Sequence, residues 1–369
     1  MEEQIPTNEA TKRPTERALT PLHNATKRVG HDPLAERLLE IRTWLSDDLA
    51  SLERAIRVGT NTDEVAGESS MMDLATQAST YLLGRPGKRI RPLCVMLGAR
   101  LGGRTLDRSV KDLAVCCEMV HTATLLHDDV IDEGTERRGA PAARMVFGNA
   151  ASVLAGDHLL LYALKLAEGV GYRSLMGQLL DTISEMVLAE AVQLEQRGTL
   201  DPCRDTYLRV IQGKTAGLFR WALVAGGTVG GLGGDHLAAL GHVGNSLGLA
   251  FQLMDDVLDL EGDPAVTGKD LLVDLKEGKL TWPFIIAAER DPSLLPAVET
   301  FLSSAEEGES SPDVRPVLEI LLATDALTAT REFARHHAES ALESLSQVPA
   351  CSARRAIEVV VEAAINRRN

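Results

Sequence analysis

Two short stretches hold most of the residues that could do chemistry. His121-Thr-Ala-Thr-Leu-Leu-His-Asp-Asp-Val-Ile-Asp132 carries Asp128, Asp129 and Asp132, and Phe251-Gln-Leu-Met-Asp-Asp-Val-Leu-Asp259 carries Asp255, Asp256 and Asp259. Both place carboxylates at i, i+1 and i+4, so on a helix two share a face and the third lies beside them. Both sit in largely apolar runs, where an unpaired carboxylate is costly unless a cation or donor meets it. A single cluster reads equally well as a solvated acidic helix end. Two copies of one spacing point instead to hard divalent cations. Mg2+ takes oxygen ligands, keeps several waters and is commonly held by one or two carboxylates together with substrate phosphates.

The basic residues complement them. In Gly84-Arg-Pro-Gly-Lys-Arg-Ile-Arg-Pro92 the last proline suits the first turn of a helix, which sets Lys88, Arg89 and Arg91 at a helix N-terminus. Peptide dipoles and unpaired N–H groups favour anions there. Arg137, Arg138, Lys214 and Lys269 add positive charge, and arginine's planar fork suits phosphate. Metals and cations together imply a phosphorylated ligand. The helical, apolar remainder is compatible with a greasy one, and the two clues point to a prenyl diphosphate.

The elements that must position these groups read as helix after helix. Apolar positions recur at helical spacing from Ala35 to about Val58. Ala150 to Ala167, Ser174 to Gln196, Tyr207 to Val224 (interrupted by Gly213-Lys214-Thr215), Pro316 to Leu345 and Ala353 to Asn366 follow, with no clear β alternation. Residues 1–34 are polar and proline-rich and are expected to form a disordered tail ahead of a single all-α domain over residues 35–369. Gly59 to Ser70 and Ser303 to Asp313 are expected as loops. The glycine run Gly226 to Gly234 lacks G-x-G-x-x-G spacing and a preceding strand, and is expected to be a flexible helix–helix connection.

Bulk properties narrow the function. The 369 residues are 44% hydrophobic and 25% charged, with a formal net charge of −15, which argues against nucleic acid as a main partner. The five cysteines show no metal-ligand spacing and are expected to be reduced in a cytoplasmic protein. No run approaches 18 consecutive apolar residues, so no transmembrane segment is expected. His127 beside Asp128 resembles a metal phosphohydrolase dipeptide, but no other histidine cluster supports that. Arg367 and Arg368 could close over a diphosphate, but are expected to form a solvated terminus.

At these residues the chain closely resembles the trans-isoprenyl diphosphate synthases, the polyprenyl synthetase family, and most of all its long-chain, octaprenyl-type members. The match covers roughly residues 35 to 369. It includes Gly87-Lys-Arg-Ile-Arg-Pro92, the first acidic motif, Arg137-Arg138-Gly139, Gly148-Asn149, Gly156-Asp157, Gly213-Lys214-Thr215, Phe251-Gln252 with the second motif, and Asp274-Leu-Lys-Glu-Gly-Lys279. The resemblance implies an all-α isoprenoid synthase fold, with helices around a deep central cavity, usually as a homodimer. It implies about two or three Mg2+ ions per active site. Asp128 and Asp132, with Asp129 assisting, would bind metal that bridges an allylic prenyl diphosphate. Asp255, helped by Asp256 and Asp259 partly through water, would hold another. Arg137, Lys214 and Lys269 match positions on the allylic diphosphate. Lys88, Arg91, His121 and Arg138 match the isopentenyl diphosphate site, and Thr215 and Gln252 match groups near the reacting carbons. The chain departs from the family pattern at Asp270 and Leu272, where Pro and Gly are frequent, and at Trp282, where leucine is usual.

The implied reaction is head-to-tail condensation by metal-assisted ionisation. Thr124 lies one turn before Asp128, with Ala123 beside it and Val120 and Cys117 below. None is bulky, so the expected product is longer than farnesyl. Geranylgeranyl or farnesyl diphosphate synthase, a class I terpene cyclase and a non-catalytic subunit of a heteromeric synthase are the alternatives. The intact second motif with Lys88 and Arg91 tells against the last two.

Overall fold

The computed structural model describes residues 19–58, 70–85, 87–261, 272–306 and 313–367. Among these the regular structure is helical, apart from one ladder of two-residue strands. The all-α expectation holds. The chain divides into two compact units, residues 1–176 with 225–231, and residues 177–224 with 232–369.

In the first unit, α1 (Thr20–Arg28), α2 (Asp32–Trp44), α3 (Ser46–Val58) and α4 (Ser70–Leu83) lead to α5 (Ile90–Leu101) and α6 (Arg108–Ile131). The hairpin β1 (Glu136–Arg137) and β2 (Ala140–Pro141) follows, then α7 (Ala143–Phe147) and α8 (Asn149–Gly169). The Asp107 side chain caps α6 by accepting from Val110 N at 3.0 Å. From Leu113 to Val120 the helix is buried all round, because α3, α5 and α8 pack against it. That core helix delivers the first acidic motif at its C-terminal end. Helix α8, 21 residues long, is by length and composition alone apolar enough to cross a membrane, the one such helix among the described residues.

The second unit is built on α12 (Gly234–Leu260). Leu240, Val243, Leu247, Ala250, Met254 and Val257 recur at helical spacing and are buried against α17 (Ala326–Leu345) and α18 (Ser352–Ile365). The unit also contains the C-terminal part of α9 (Arg173–Gln196), α10 (Arg204–Ile211), and α13 (Val273–Lys276), α14 (Trp282–Arg290), α15 (Leu294–Glu306) and α16 (Arg315–Ala323). A π-helical turn at Gln212–Ala216 joins α10 to α11 (Gly217–Val229). Such turns concentrate at functional sites, and this one carries Lys214 and Thr215.

Several expectations shift. Residues 1–34 do not all form a tail: α1 begins at Thr20 and α2 at Asp32, while residues 1–18 lie outside the described residues. Leu19, Leu22 and Thr26 are buried on one side of α1, and Pro21 stands in its first turn, where the missing N–H costs nothing. The run from Ala35 to Val58 is two helices divided at Leu45, and Pro316 to Leu345 divides at Thr324-Asp325, where Asp325 has φ 55°. The glycine run is only partly a connection. Gly226 lies inside α11, where a Cβ would fall 2.1 Å from the Val95 carbonyl oxygen, so glycine lets the helix sit directly on α5.

Candidate active site

The three aspartates of the first motif face different ways. Asp128 and Asp132 are partly exposed, and Asp132 N donates to the Asp128 carbonyl at 2.7 Å as α6 ends. Asp129 is fully buried. Arg137 Nε donates to Asp129 Oδ1 at 2.7 Å, and Nη2 lies 2.6 Å from the same oxygen. Burial pushes the Asp129 carboxyl above the usual range, and Arg137 works against that shift. Its second oxygen, Oδ2, is buried without a hydrogen-bond partner.

Arg137 and Arg138 owe their positions to the hairpin. Arg138 and Gly139 form its two-residue turn with φ 54° and 70°, the doubly left-handed conformation that matches the twist of short hairpins. Arg137 then reaches Asp129, whereas Arg138 Nη1 donates to the Leu82 carbonyl at 3.4 Å and Nη2 lies 3.8 Å from Glu118 Oε1. Arg91 Nη1 lies 3.5 Å from His121 Nε2. A guanidinium can only donate, so this contact needs an unprotonated Nε2. Burial, then Arg91 and Arg138, holds the His121 imidazole well below its ordinary pKa, in agreement. Lys88 ends this basic cluster at the N-terminus of α5, and its carbonyl accepts from Leu19 N at 3.3 Å. Lys88, Arg91, His121 and Arg138 all belong to the first unit.

The second motif also divides its labour. Asp256 is buried and accepts from the Tyr207 hydroxyl, from Gln252 Nε2 at 3.1 Å and from Trp282 N at 3.3 Å. Burial pushes its pKa up to about 7 against the pull of these donors. Thr215 Oγ1 donates to Gln252 Oε1 at 2.9 Å, so one chain of hydrogen bonds runs from the π-turn through Gln252 to Asp256. Asp259 accepts from Val273 N at 3.2 Å and Asp274 N at 3.4 Å, which ties it to the start of α13. Burial raises the Asp274 carboxyl well above its ordinary range, with Asp259 and Asp256 adding to the shift. Asp255 is partly exposed, and the Arg367 guanidinium holds one of its oxygens.

Lys214 pairs with Glu190 and donates to Gln193 Oε1 at 2.9 Å, both on α9. Lys269 and Asp270 lie outside the described residues. Trp282 packs between Tyr207 and Phe333, with ring centroids 5.4 and 4.7 Å away, which accounts for an aromatic at that position. Ala123 is buried, whereas Thr124 is partly exposed and donates to the His121 carbonyl at 2.9 Å. His127 is a packing residue: Nε2 lies 3.2 Å from the Val153 carbonyl oxygen and 3.3 Å from Asp157 Oδ1. Its ring sits on Gly156, where a Cβ would be 2.3 Å from Nε2.

The amino-acid order alone did not single out Tyr207, Glu118 or Asp274 for roles at the site, and for Arg367 it favoured a solvated terminus. Arg367 departs furthest from expectation. It is buried rather than solvated, since its guanidinium lies 3.9 Å from the Phe251 ring centroid and donates to the carbonyls of Phe251 and Ala364. Among the described residues no three His, Cys, Asp or Glu side chains are grouped to hold a metal ion between them. Asp128 and Asp132 in the first motif and Asp255 and Asp259 in the second are each partly exposed, and carboxylates of that kind fit Mg2+, which completes its shell with waters and phosphate oxygens. The orphaned Asp129 Oδ2 is an acceptor that a metal-bound water can satisfy.

Comparison with known proteins gives this geometry its setting. The polyprenyl synthetase family model matches residues 72–321. The chain is 34% identical over 331 residues to the octaprenyl diphosphate synthase of Escherichia coli K12, covering 89% of this chain and 99% of that protein. It is 30% identical to the nonaprenyl diphosphate synthase of Mycobacterium tuberculosis, over 80% of this chain and 87% of the relative. A polyprenyl synthase from Caulobacter crescentus CB15, solved with calcium and isoprenyl diphosphate, superposes with a TM-score of 0.80. It is 33% identical, over 90% of this chain and 98% of that one. The chain therefore belongs to the polyprenyl synthetase family and is a prenyltransferase with the isoprenoid synthase fold.

Proposed function

We propose that the protein condenses isopentenyl diphosphate with an allylic prenyl diphosphate, head to tail and in the trans sense, to give a polyprenyl diphosphate longer than farnesyl. The observation that carries this reading is the paired acidic motif, in which Asp128, Asp132, Asp255 and Asp259 stay partly exposed while Asp129 and Asp256 are locked inward. In this reading each motif offers partly exposed carboxylate for the metal that the condensation needs.

Asp128, Asp132 and Asp255 are the residues that would hold Mg2+, which would supply positive charge to a departing diphosphate. Lys214, Arg137 and Lys269 bind the remaining oxygens of that group. Lys88, Arg91 and Arg138 hold the isopentenyl diphosphate, and His121, kept neutral, offers a hydrogen bond without adding charge. Thr215 and Gln252, fixed by their bond to each other and to Asp256, flank the reacting carbons. The isopentenyl double bond attacks the allylic cation, and proton loss to the released diphosphate restores the alkene. No side-chain nucleophile is required.

We infer further that the two units make one catalytic domain, and that the working form is a cytoplasmic homodimer. The homodimer reading is supported by exposed apolar side chains on α8 (Val153, Leu154, Leu161) and on the C-terminal part of α9 (Leu180, Val187, Leu188). The product-length reading is supported by the small side chains at Ala123 and Thr124 and by the long-chain relatives.

Incubating the purified chain with Mg2+, an allylic diphosphate and labelled isopentenyl diphosphate tests the reaction. Polyprenyl alcohols longer than farnesol are expected after dephosphorylation. Cyclic hydrocarbons would indicate a terpene cyclase, and activity only after adding a second polypeptide would indicate a heteromeric synthase.

A further inference from the structure

Arg89 stands between Lys88 and Arg91 in the basic loop, yet its side chain turns into the protein. Its backbone is left-handed, with φ 50°, at the N-cap of α5. Nε donates to Glu53 Oε1 at 3.0 Å, Nη1 donates to Glu118 Oε1, and Nη2 donates to the Leu83 carbonyl at 3.0 Å. None of the three charged side chains is more than 3% exposed. Arg138 approaches the same Glu118 oxygen. Gly87 makes the room, since a Cβ there would lie 3.2 Å from Arg89 Nη1 and 3.4 Å from Arg138 Cζ.

The cluster joins α3, the C-terminal end of α4, the basic loop, α6 and the hairpin turn. Two carboxylates offset two guanidiniums. Buried ionic clusters of this kind contribute little net stability compared with apolar packing, so position is the property this one supplies. Every donor on Arg89 that the structure assigns is directed at a different segment, and the planar fork cannot be reproduced by a lysine. On either side of Arg89 the chain carries Lys88 and Arg91, whose side chains are thereby set by the anchored backbone between them.

We propose that Glu53, Arg89 and Glu118 are positioning residues for the anion site of Lys88, Arg91, His121 and Arg138, holding its charges in place before the substrate arrives. This rests on the assignment of that site to isopentenyl diphosphate. Preorganised charges bind a diphosphate without first paying for the ordering of long side chains. Loosening the cluster therefore weakens binding of this substrate and spares the allylic one.

Steady-state kinetics with both substrates, on Glu53→Gln, Arg89→Lys and, as a reporter of the site itself, Lys88→Ala, test this. All three are expected to raise the KM for isopentenyl diphosphate about tenfold or more, the loss of one charge-assisted contact. The KM for the allylic diphosphate stays within about twofold and kcat within about threefold. Glu53→Asp recovers part of the loss. Lys88→Ala raising that KM while Glu53→Gln and Arg89→Lys leave it unchanged, or merely reduce kcat and melting temperature, would overturn the proposal. No effect of Lys88→Ala would instead remove the site assignment. If Arg89→Lys does not fold, Glu53→Gln decides, because it keeps the shape of the side chain and the Arg89–Glu118 contact.

Discussion

Arg367 Nη1 lies 2.8 Å from Asp255 Oδ1, and the arginine side chain is 1% exposed while the aspartate is 38% exposed. A residue near the end of the numbering thus grips the outward-facing carboxylate of the second acidic motif from its buried side. The guanidinium is itself anchored by the Phe251 carbonyl at 2.8 Å and the Ala364 carbonyl at 2.9 Å. One oxygen of Asp255 is therefore fixed by a buried guanidinium.

This pair makes a stability prediction. Arg367→Ala removes a buried cation and three anchoring contacts, at a cost of about 2 to 4 kcal/mol by the scale of broken buried ion pairs. A double-mutant cycle with Asp255→Asn, read by urea denaturation, should give a coupling energy of about 1 kcal/mol, because Asp255 is partly solvated. Strict additivity of the two substitutions would contradict the pairing.

Tyr207 makes the second. Its hydroxyl is one of three donors on the buried Asp256, so Tyr207→Phe leaves part of that carboxylate unsatisfied. A stability loss of about 1 to 2 kcal/mol is expected. The Mg2+ concentration needed for half-maximal activity should also rise, because Asp256 and Gln252 lose their alignment beside Asp255. An unchanged Mg2+ titration would confine Tyr207 to packing.

His121 sets a pH dependence. Burial and the neighbouring arginines depress its pKa in the fold, so the native state stays neutral where the unfolded chain, with a pKa of about 6.5, takes up a proton. The unfolded state binds more protons in that window, so stability rises with pH there and is lost as pH falls below about 6.5 toward the depressed value. Denaturation curves at several pH values should show a shallower acid loss for His121→Gln than for the wild type. Parallel curves would contradict the shift.

The cysteines should separate by reactivity. Burial pushes the Cys94 thiol up to about 12 and raises Cys116 and Cys117 as well. The Cys203 thiol is lowered by hydrogen bonds from Thr206 at the start of α10. Timed alkylation of the native protein, followed by peptide mass spectrometry, should label Cys203 well before Cys116 and Cys117. Equal rates would mean the core around α6 opens freely.

Product length should respond to Thr124 more cleanly than to Ala123. Ala123 is 1% exposed, so Ala123→Phe overpacks the core and costs about 1 to 3 kcal/mol. Thr124→Phe adds bulk to a partly exposed position one turn from Asp128. Chromatography should show shorter products from Thr124→Phe with the first condensation retained; an unchanged distribution would refute that direction of chain growth.

Much of this was legible in the amino-acid order because the reaction's demands are local. Largely apolar runs marked α6 and α12, and the repeated i, i+1, i+4 spacing marked six aspartates, five on these helices and Asp132 at the C-cap of α6. Which aspartates face inward was not legible. Asp129 is turned by Arg137 from a hairpin, and Asp256 by Tyr207 from a helix far away in sequence. Arg89 hid among cations of the same kind, although its left-handed backbone and its two glutamate partners give it a different surrounding from Lys88 and Arg91. Arg367 looked like an ordinary charged end, since its burial depends on a ring and two carbonyls outside its own segment. Helix α1 was obscured by Pro21, which signals a break and also suits a first turn.

The proposal that the condensation needs both acidic motifs is tested most directly by labelled isopentenyl diphosphate incorporation in Asp128→Asn and Asp255→Asn, each shown folded by its melting curve. Each variant should lose about a hundredfold or more of the wild-type rate, the scale of removing one group that stabilises a developing anion. Wild-type turnover in either variant would contradict the account.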